Sequence, residues 1–172
     1  MRDDSRKWTP PADLSAPIDL GVATLSRFDP ARLSLISGPK VRSTEPAPVG
    51  WPDVATGDTY RLSLRRDRIV EVGGAEGRDG WDKDTGRAFS DITDAYASIA
   101  LSGPGAFEIL KRGTEISPSI PSASVARRLF GMDVWLYRYG SDDSFRLHVV
   151  HAYEEALLGN VKAAAALMEW DA

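Results

Sequence analysis

Val134-Trp-Leu-Tyr-Arg-Tyr-Gly140, running on through Ser141-Asp-Asp-Ser-Phe-Arg-Leu-His-Val-Val150, is the stretch whose reading decides the fold. Val134, Trp135, Leu136 and Tyr137 are apolar without a break, so both faces of this strand need cover, which marks it as central. Gly140-Ser-Asp-Asp143 reads as a turn, and Ser144 to Val150 returns as the next strand. Upstream, Val125 to Phe130 is a third strand, joined to Asp133–Tyr139 across the turn Gly131-Met132. An antiparallel meander follows. Before it, Ala97, Ile99 and Leu101 alternate as a strand that runs into Ser102-Gly-Pro-Gly-Ala106. Proline suits the start of a helix, where its missing N–H leaves nothing unpaired, and the spacing predicts a helix over Pro104 to Arg112 that Gly113 stops. After the meander, Tyr153, Leu157, Val161, Ala164 and Met168 form one helical stripe. Gly159-Asn160 is a weak point at which that helix could kink. The plan is α+β: one mostly antiparallel sheet with helices packed on one face.

Further upstream, Tyr60, Leu62 and Leu64 alternate with polar residues, and Ile69-Val-Glu-Val72 pairs back across Arg65-Arg-Asp-Arg68 as a hairpin. Gly73 to Arg87 is rich in glycine and charge and reads as a solvated loop. Eight of the eleven prolines precede residue 60. They keep that region extended and helix-poor, with short strands at Leu20–Phe28 and Arg32–Ile36. Residues 37–58 show no lasting periodicity and are read as a loop or arm. The expected division is therefore a Pro-rich arm with short strands over 1–58 and an α+β domain over 59–172, the two forming one continuous unit. Segments as poor in apolar anchors as 37–58 and 73–87 are expected to order only on assembly.

The chain has 172 residues, enough to bury roughly 70% of its unfolded surface without a staple. It is 42% hydrophobic and 27% charged, with a formal net charge of -4. That balance gives no general attraction for nucleic acid or anionic lipid. The cysteine count is zero, which excludes disulfides, thiolate metal sites and cysteine nucleophiles. Neither a secretory leader nor an apolar run of the ~20 residues a membrane span needs is present, so the expected location is the cytoplasm.

No residue set converges on a reaction. Gly103-Pro-Gly105 lacks both the dinucleotide and the P-loop spacing and reads as a turn. His148 and His151 form H-x-x-H beside Glu154 and Glu155, but strand positions three apart face opposite sides, so both read as surface or interface histidines. Arg127 and Arg128 likewise point to opposite faces. Asp91 and Asp94 fit cap and turn roles. Trp8, Trp51 and Trp81 lie in segments without a core-facing period. They are the candidate partner-interface residues, and burial of the indoles decides between that role and packing onto the core.

The ordered set Asp91-Ile-Thr93, Leu101-Ser-Gly-Pro-Gly-Ala106 with Lys111-Arg-Gly113, and Val134–Gly140 with Asp143-Ser-Phe-Arg-Leu-His148 resembles the gamma subunit of heterotetrameric sarcosine oxidases. That subunit is itself similar to the folate-binding domain of glycine-cleavage aminomethyltransferases. The resemblance covers roughly residues 88–170. Where catalytic folate-dependent relatives carry paired aspartates after a glycine-rich hairpin, this chain has a lone Asp133. The resemblance implies a non-catalytic structural subunit of a flavin-dependent complex that oxidatively demethylates sarcosine or another N-methyl amino acid. FAD, FMN, NAD and tetrahydrofolate would sit on the larger subunits and none on this chain. The alternative is a freestanding folate-dependent aminomethyl or methyl transferase.

Overall fold

A computed structural model describes residues 14–74, 79–117 and 119–168. The strands are β1 (Ile18–Asp19), β2 (Thr24–Arg27), β3 (Leu33–Ser37), β4 (Val54–Ala55), β5 (Tyr60–Arg65), β6 (Arg68–Val72), β7 (Gly80–Asp82), β8 (Arg87–Asp91), β9 (Tyr96–Ser102), β10 (Ala126–Leu129), β11 (Met132–Tyr139) and β12 (Ser141–Val150). Two helices accompany them, α1 (Ala106–Lys111) and α2 (Glu154–Met168).

The strands form two sheets, not the one expected. The larger runs β1-β2-β9-β12-β11-β10, with β4 pairing the end of β11; the smaller runs β5-β6-β3-β8-β7. Every pairing is antiparallel except β4 with β11. The reason lies in β11. Val134 and Leu136 pack with Ile109 and Leu110 of α1 and Leu157, Leu158 and Val161 of α2. Trp135 and Tyr137, pointing the other way, pack with Leu33, Tyr60, Leu62, Val70 and Val72 of the smaller sheet. The larger sheet is thus the middle layer, with both helices on one face and the second sheet on the other. An unbroken apolar run on a central strand demands that double cover.

Residues 37–58 are more firmly held than their composition implies. Val41 is fully buried against Ile36 and Ile69. Val49 bridges Leu62, Trp51 bridges Ser122, and β4 ends on buried Ala55. The loop expected over 73–87 contains β7 and the first residue of β8, an edge hairpin of the smaller sheet. The last helix runs through Gly159 without a break, and the Asn160 side-chain amide donates to the Ala156 carbonyl at 2.7 Å. Tyr153 falls in a 3₁₀ turn before α2 and stays exposed, so Leu158 and Ala165 complete the buried stripe in its place.

Gly103-Pro-Gly105 is the structural turn its spacing implied. Gly103 sits at φ +120, a region that favours glycine. The Gly105 N–H donates to the Val22 carbonyl at 2.9 Å, and a Cβ there would lie 2.6 Å from the Val22 side chain. The amide that would greet an anion is already spent on the β1–β2 turn.

Candidate functional site

Strand alternation and register lay a polar chain across the interface of the two sheets. On β12, Phe145, Leu147 and Val149 face the helices, while Arg146 and His148 face the second sheet. Register sets Ser98 of β9 beside His148 and Tyr137 of β11 beside Arg146. Tyr60 reaches in from β5. Ser98 Oγ lies 2.8 Å from His148 Nδ1, and His148 Nε2 lies 2.9 Å from the Tyr137 hydroxyl. The Tyr137 and Tyr60 hydroxyls are 2.8 Å apart, and Arg146 Nη1 donates to the Tyr60 hydroxyl at 2.7 Å. The Arg146 guanidinium also lies against the Tyr139 ring, 3.2 Å from its centroid, and over Phe28 at 4.2 Å.

A guanidinium can only donate, so the Tyr60 oxygen accepts from Arg146. A neutral imidazole has one donor and one acceptor nitrogen, so His148 donates to one of Ser98 and Tyr137 and accepts from the other.

Electrostatics keep the chain neutral beyond Arg146. His148 is fully buried, and burial together with the nearby Arg146 charge lowers its pKa to about 3. Burial raises Tyr60 and pushes Tyr137 well above the usual tyrosine range. A general base works best with a pKa near the operating pH and within reach of its substrate. His148 meets neither condition, and this chain of bonds fastens two sheets together. Tyr137→Phe removes the link that serves both His148 and Tyr60. We expect a loss of about 1–3 kcal/mol in urea unfolding with an unchanged denaturant slope.

The residues singled out from sequence separate cleanly. His148 is buried, which corrects its reading as a surface histidine; the face opposite Phe145 and Leu147 is covered by a sheet. His151 is exposed, with Nδ1 3.4 Å from Glu154. Among the described residues no group of three metal-ligating side chains converges. Trp51 is 2% exposed and belongs to the core, which corrects its place among the interface candidates. Trp81 on β7 is 65% exposed. Trp8 lies outside the described residues. Arg127 is half-buried and Arg128 exposed. Asp91 Oδ1 accepts from the Thr93 N–H and hydroxyl, a turn role that lowers its pKa. Asp133 is exposed beside Arg128. Among the described residues no helix is long and apolar enough to cross a membrane.

Tyr60, Ser98, Tyr137 and Arg146 were not singled out from sequence. The available signal was Arg146 and His148 two apart on one strand, which places both on the face opposite Phe145 and Leu147. The hidden fact was that this face is interior.

No known family profile matches this chain, and no curated protein does. Among solved structures, a chain of the heterotetrameric sarcosine oxidase from Corynebacterium sp. U-96, in complex with pyrrole 2-carboxylate, matches with a TM-score of 0.62 at 17% identity. The match covers 84% of this chain and 84% of that one. The two share a fold, mostly sheet with few helices.

Proposed function

We propose that this chain is a non-catalytic, gamma-like subunit of a flavin-dependent heteromeric oxidase or dehydrogenase acting on sarcosine or a related N-methyl amino acid. The observation that carries the reading is the near whole-chain likeness to a component of a heterotetrameric sarcosine oxidase, with an equal share of both chains matched. The motifs of residues 88–170 support it independently, since they resemble the gamma subunit in sequence alone. In this reading the larger subunits hold FAD, FMN, NAD and tetrahydrofolate, the methyl carbon passes to tetrahydrofolate, and the assembly works in the cytoplasm. This chain supplies shape and contact surface. Its buried histidine is committed to holding two sheets together, a structural use of the residue best suited to catalysis.

Trp81 is the contact residue of choice. It stands 65% exposed on β7, an edge strand of the smaller sheet. Exposed tryptophans on a partner-facing edge are typical anchors of binding energy. Trp81→Asp is expected to weaken association with the large subunits by about tenfold or more, while shifting the chain's own unfolding free energy by less than about 0.5 kcal/mol. Titration of labelled chain into the large subunits, paired with a urea melt, checks both.

Co-expression with the large oxidase subunits tests the reading itself. The expected result is a single species by gel filtration that contains this chain and carries flavin absorbance. A chain that elutes as a monomer beside assembled large subunits would end the proposal. Calorimetric titration of the purified chain with tetrahydrofolate separates the transferase alternative, because only a freestanding folate-dependent enzyme gives saturable heat.

A further inference from the structure

Where the two sheets diverge, β10 and the β5–β6 hairpin leave a cleft of about 500 Å³ between them. The strands are joined at its closed end, where the Val125 N–H donates to the Ser63 carbonyl and Ser124 Oγ donates to the Leu64 carbonyl. Beyond that join the edges part. Tyr96 and Trp135 line the cleft, their rings stacked at 4.2 Å between centroids. Four arginines line it as well: Arg65 and Arg68 from the hairpin, Arg127 and Arg128 from β10. One carboxylate, Asp133, answers them, 3.9 Å from Arg128.

Charge in this cleft is unbalanced. Arg128 pairs with Asp133, and among the described residues Arg65 and Arg68 form no ion pair. Arg127 stands opposite Val134, so its side chain leaves β10 on the helix face; its head group turns to the Ala126 carbonyl and also lines the neighbouring groove beside Trp51 and Ile116. The chain as a whole is acidic, with net charge -4, so this cationic concentration runs against the molecule's overall sign. β10 is also an edge strand of the larger sheet.

We propose that this cleft receives an extended acidic segment of a partner protein. Its carboxylates pair with Arg65, Arg68 and Arg128, and an apolar side chain rests on the Tyr96–Trp135 stack. Arginine forks suit carboxylates in bidentate geometry, and the apolar lining between them suits a peptide side chain better than a bare inorganic anion. An acidic chain with one short basic cleft repels the long phosphate backbone of nucleic acid over the rest of its surface. The identity of the partner rests on the subunit reading above; the chemistry of the cleft does not.

The test is calorimetric titration of the full chain with a glutamate–tyrosine copolymer, with a lysine–tyrosine copolymer and single-stranded oligothymidylate as comparisons. We expect saturable, salt-sensitive binding of the acidic copolymer alone. In Arg65→Ser/Arg68→Ser it weakens about tenfold, with the melting temperature held as evidence of folding. Arg128→Lys keeps the charge but loses the fork and is expected to weaken binding less. Absence of heat with the acidic copolymer, equal affinity for the basic one, tighter binding of oligothymidylate, or wild-type affinity in the double variant would each overturn the proposal. The two readings fail separately. Copolymer binding at the cleft without any flavoprotein assembly removes the subunit reading alone. Assembly that the arginine variants leave at wild-type affinity removes the cleft's role alone.

Discussion

Trp51→Ala is expected to lower the unfolding free energy by about 3–5 kcal/mol, a large share of the 5–15 kcal/mol typical of a domain. The indole is packed on several sides. It stacks on Phe107 of α1 at 6.5 Å and on Phe145 of β12 at 6.4 Å, with the Arg138 guanidinium over its ring at 5.2 Å. Its Nε1 donates to the Ser117 carbonyl at 2.7 Å. Its backbone exchanges two hydrogen bonds with Ser122. One side chain therefore ties residues 37–58 to the first helix, the central sheet and the loop before β10. Truncation leaves a cavity and orphans a carbonyl together. Trp51→Phe keeps the ring stack and loses only the bond to Ser117, so its cost should be nearer 1–3 kcal/mol. Urea melts of both variants check the ordering. A Trp51→Ala protein within about 0.5 kcal/mol of wild type would show that this ring is not part of the core.

Acid should loosen the protein through His148. Its pKa falls from 6.5 to about 3 on folding, so below 6.5 the unfolded chain takes up a proton that the folded chain refuses. Proton binding by the unfolded state alone makes stability fall as pH falls. The contribution is fully present above 6.5 and is lost progressively down to about 3. Within that window the slope approaches about 1.4 kcal/mol per pH unit, the linkage of one proton. Asp and Glu side chains titrate at the lower end, so the clean interval is roughly pH 6 to 5. His148→Gln cannot take up that proton. It should be less stable at neutral pH, because the bonds to Ser98 and Tyr137 are disturbed, yet its stability should vary less with pH over this interval. Parallel slopes for variant and wild type would mean that the imidazole titrates alike folded and unfolded, which full burial forbids.

What the sequence made legible was whatever depended on local period. Trp135 and Tyr137 beside Val134 and Leu136 announced a central strand covered on both sides. Gly131 marked the turn between β10 and β11, which falls on Phe130-Gly131, one residue before the expected Gly131-Met132, and Tyr60, Leu62 and Leu64 drew one hairpin of the smaller sheet. The second sheet as a unit was not legible. It forms when β3 and β8, more than fifty residues apart, close around the hairpin, and period does not reveal which strand pairs with which. In β8, Arg87-Ala-Phe-Ser-Asp91 is half-buried at best, so its alternation is faint. Once that sheet is missed, the Arg146–His148 face looks like solvent, and the polar chain goes with it. Trp51 was ambiguous for a different reason: a proline-rich segment has no period, so only tertiary contact shows which way its tryptophan turns. Gly159 does not kink the last helix. It is exposed on a helix whose opposite side is packed, and tertiary burial of Leu157, Leu158 and Val161 outweighs the weak propensity of one turn.

In the proposed function this polypeptide lends surface to an oxidase whose reactive groups lie elsewhere. Native mass measurement of the tagged chain isolated from its own cells under gentle salt tests this in one step. The expected result is a yellow, flavin-bearing particle several times heavier than 18.7 kDa that consumes sarcosine or a close N-methyl amino acid. A colourless 18.7 kDa species that turns over substrate unaided would contradict it.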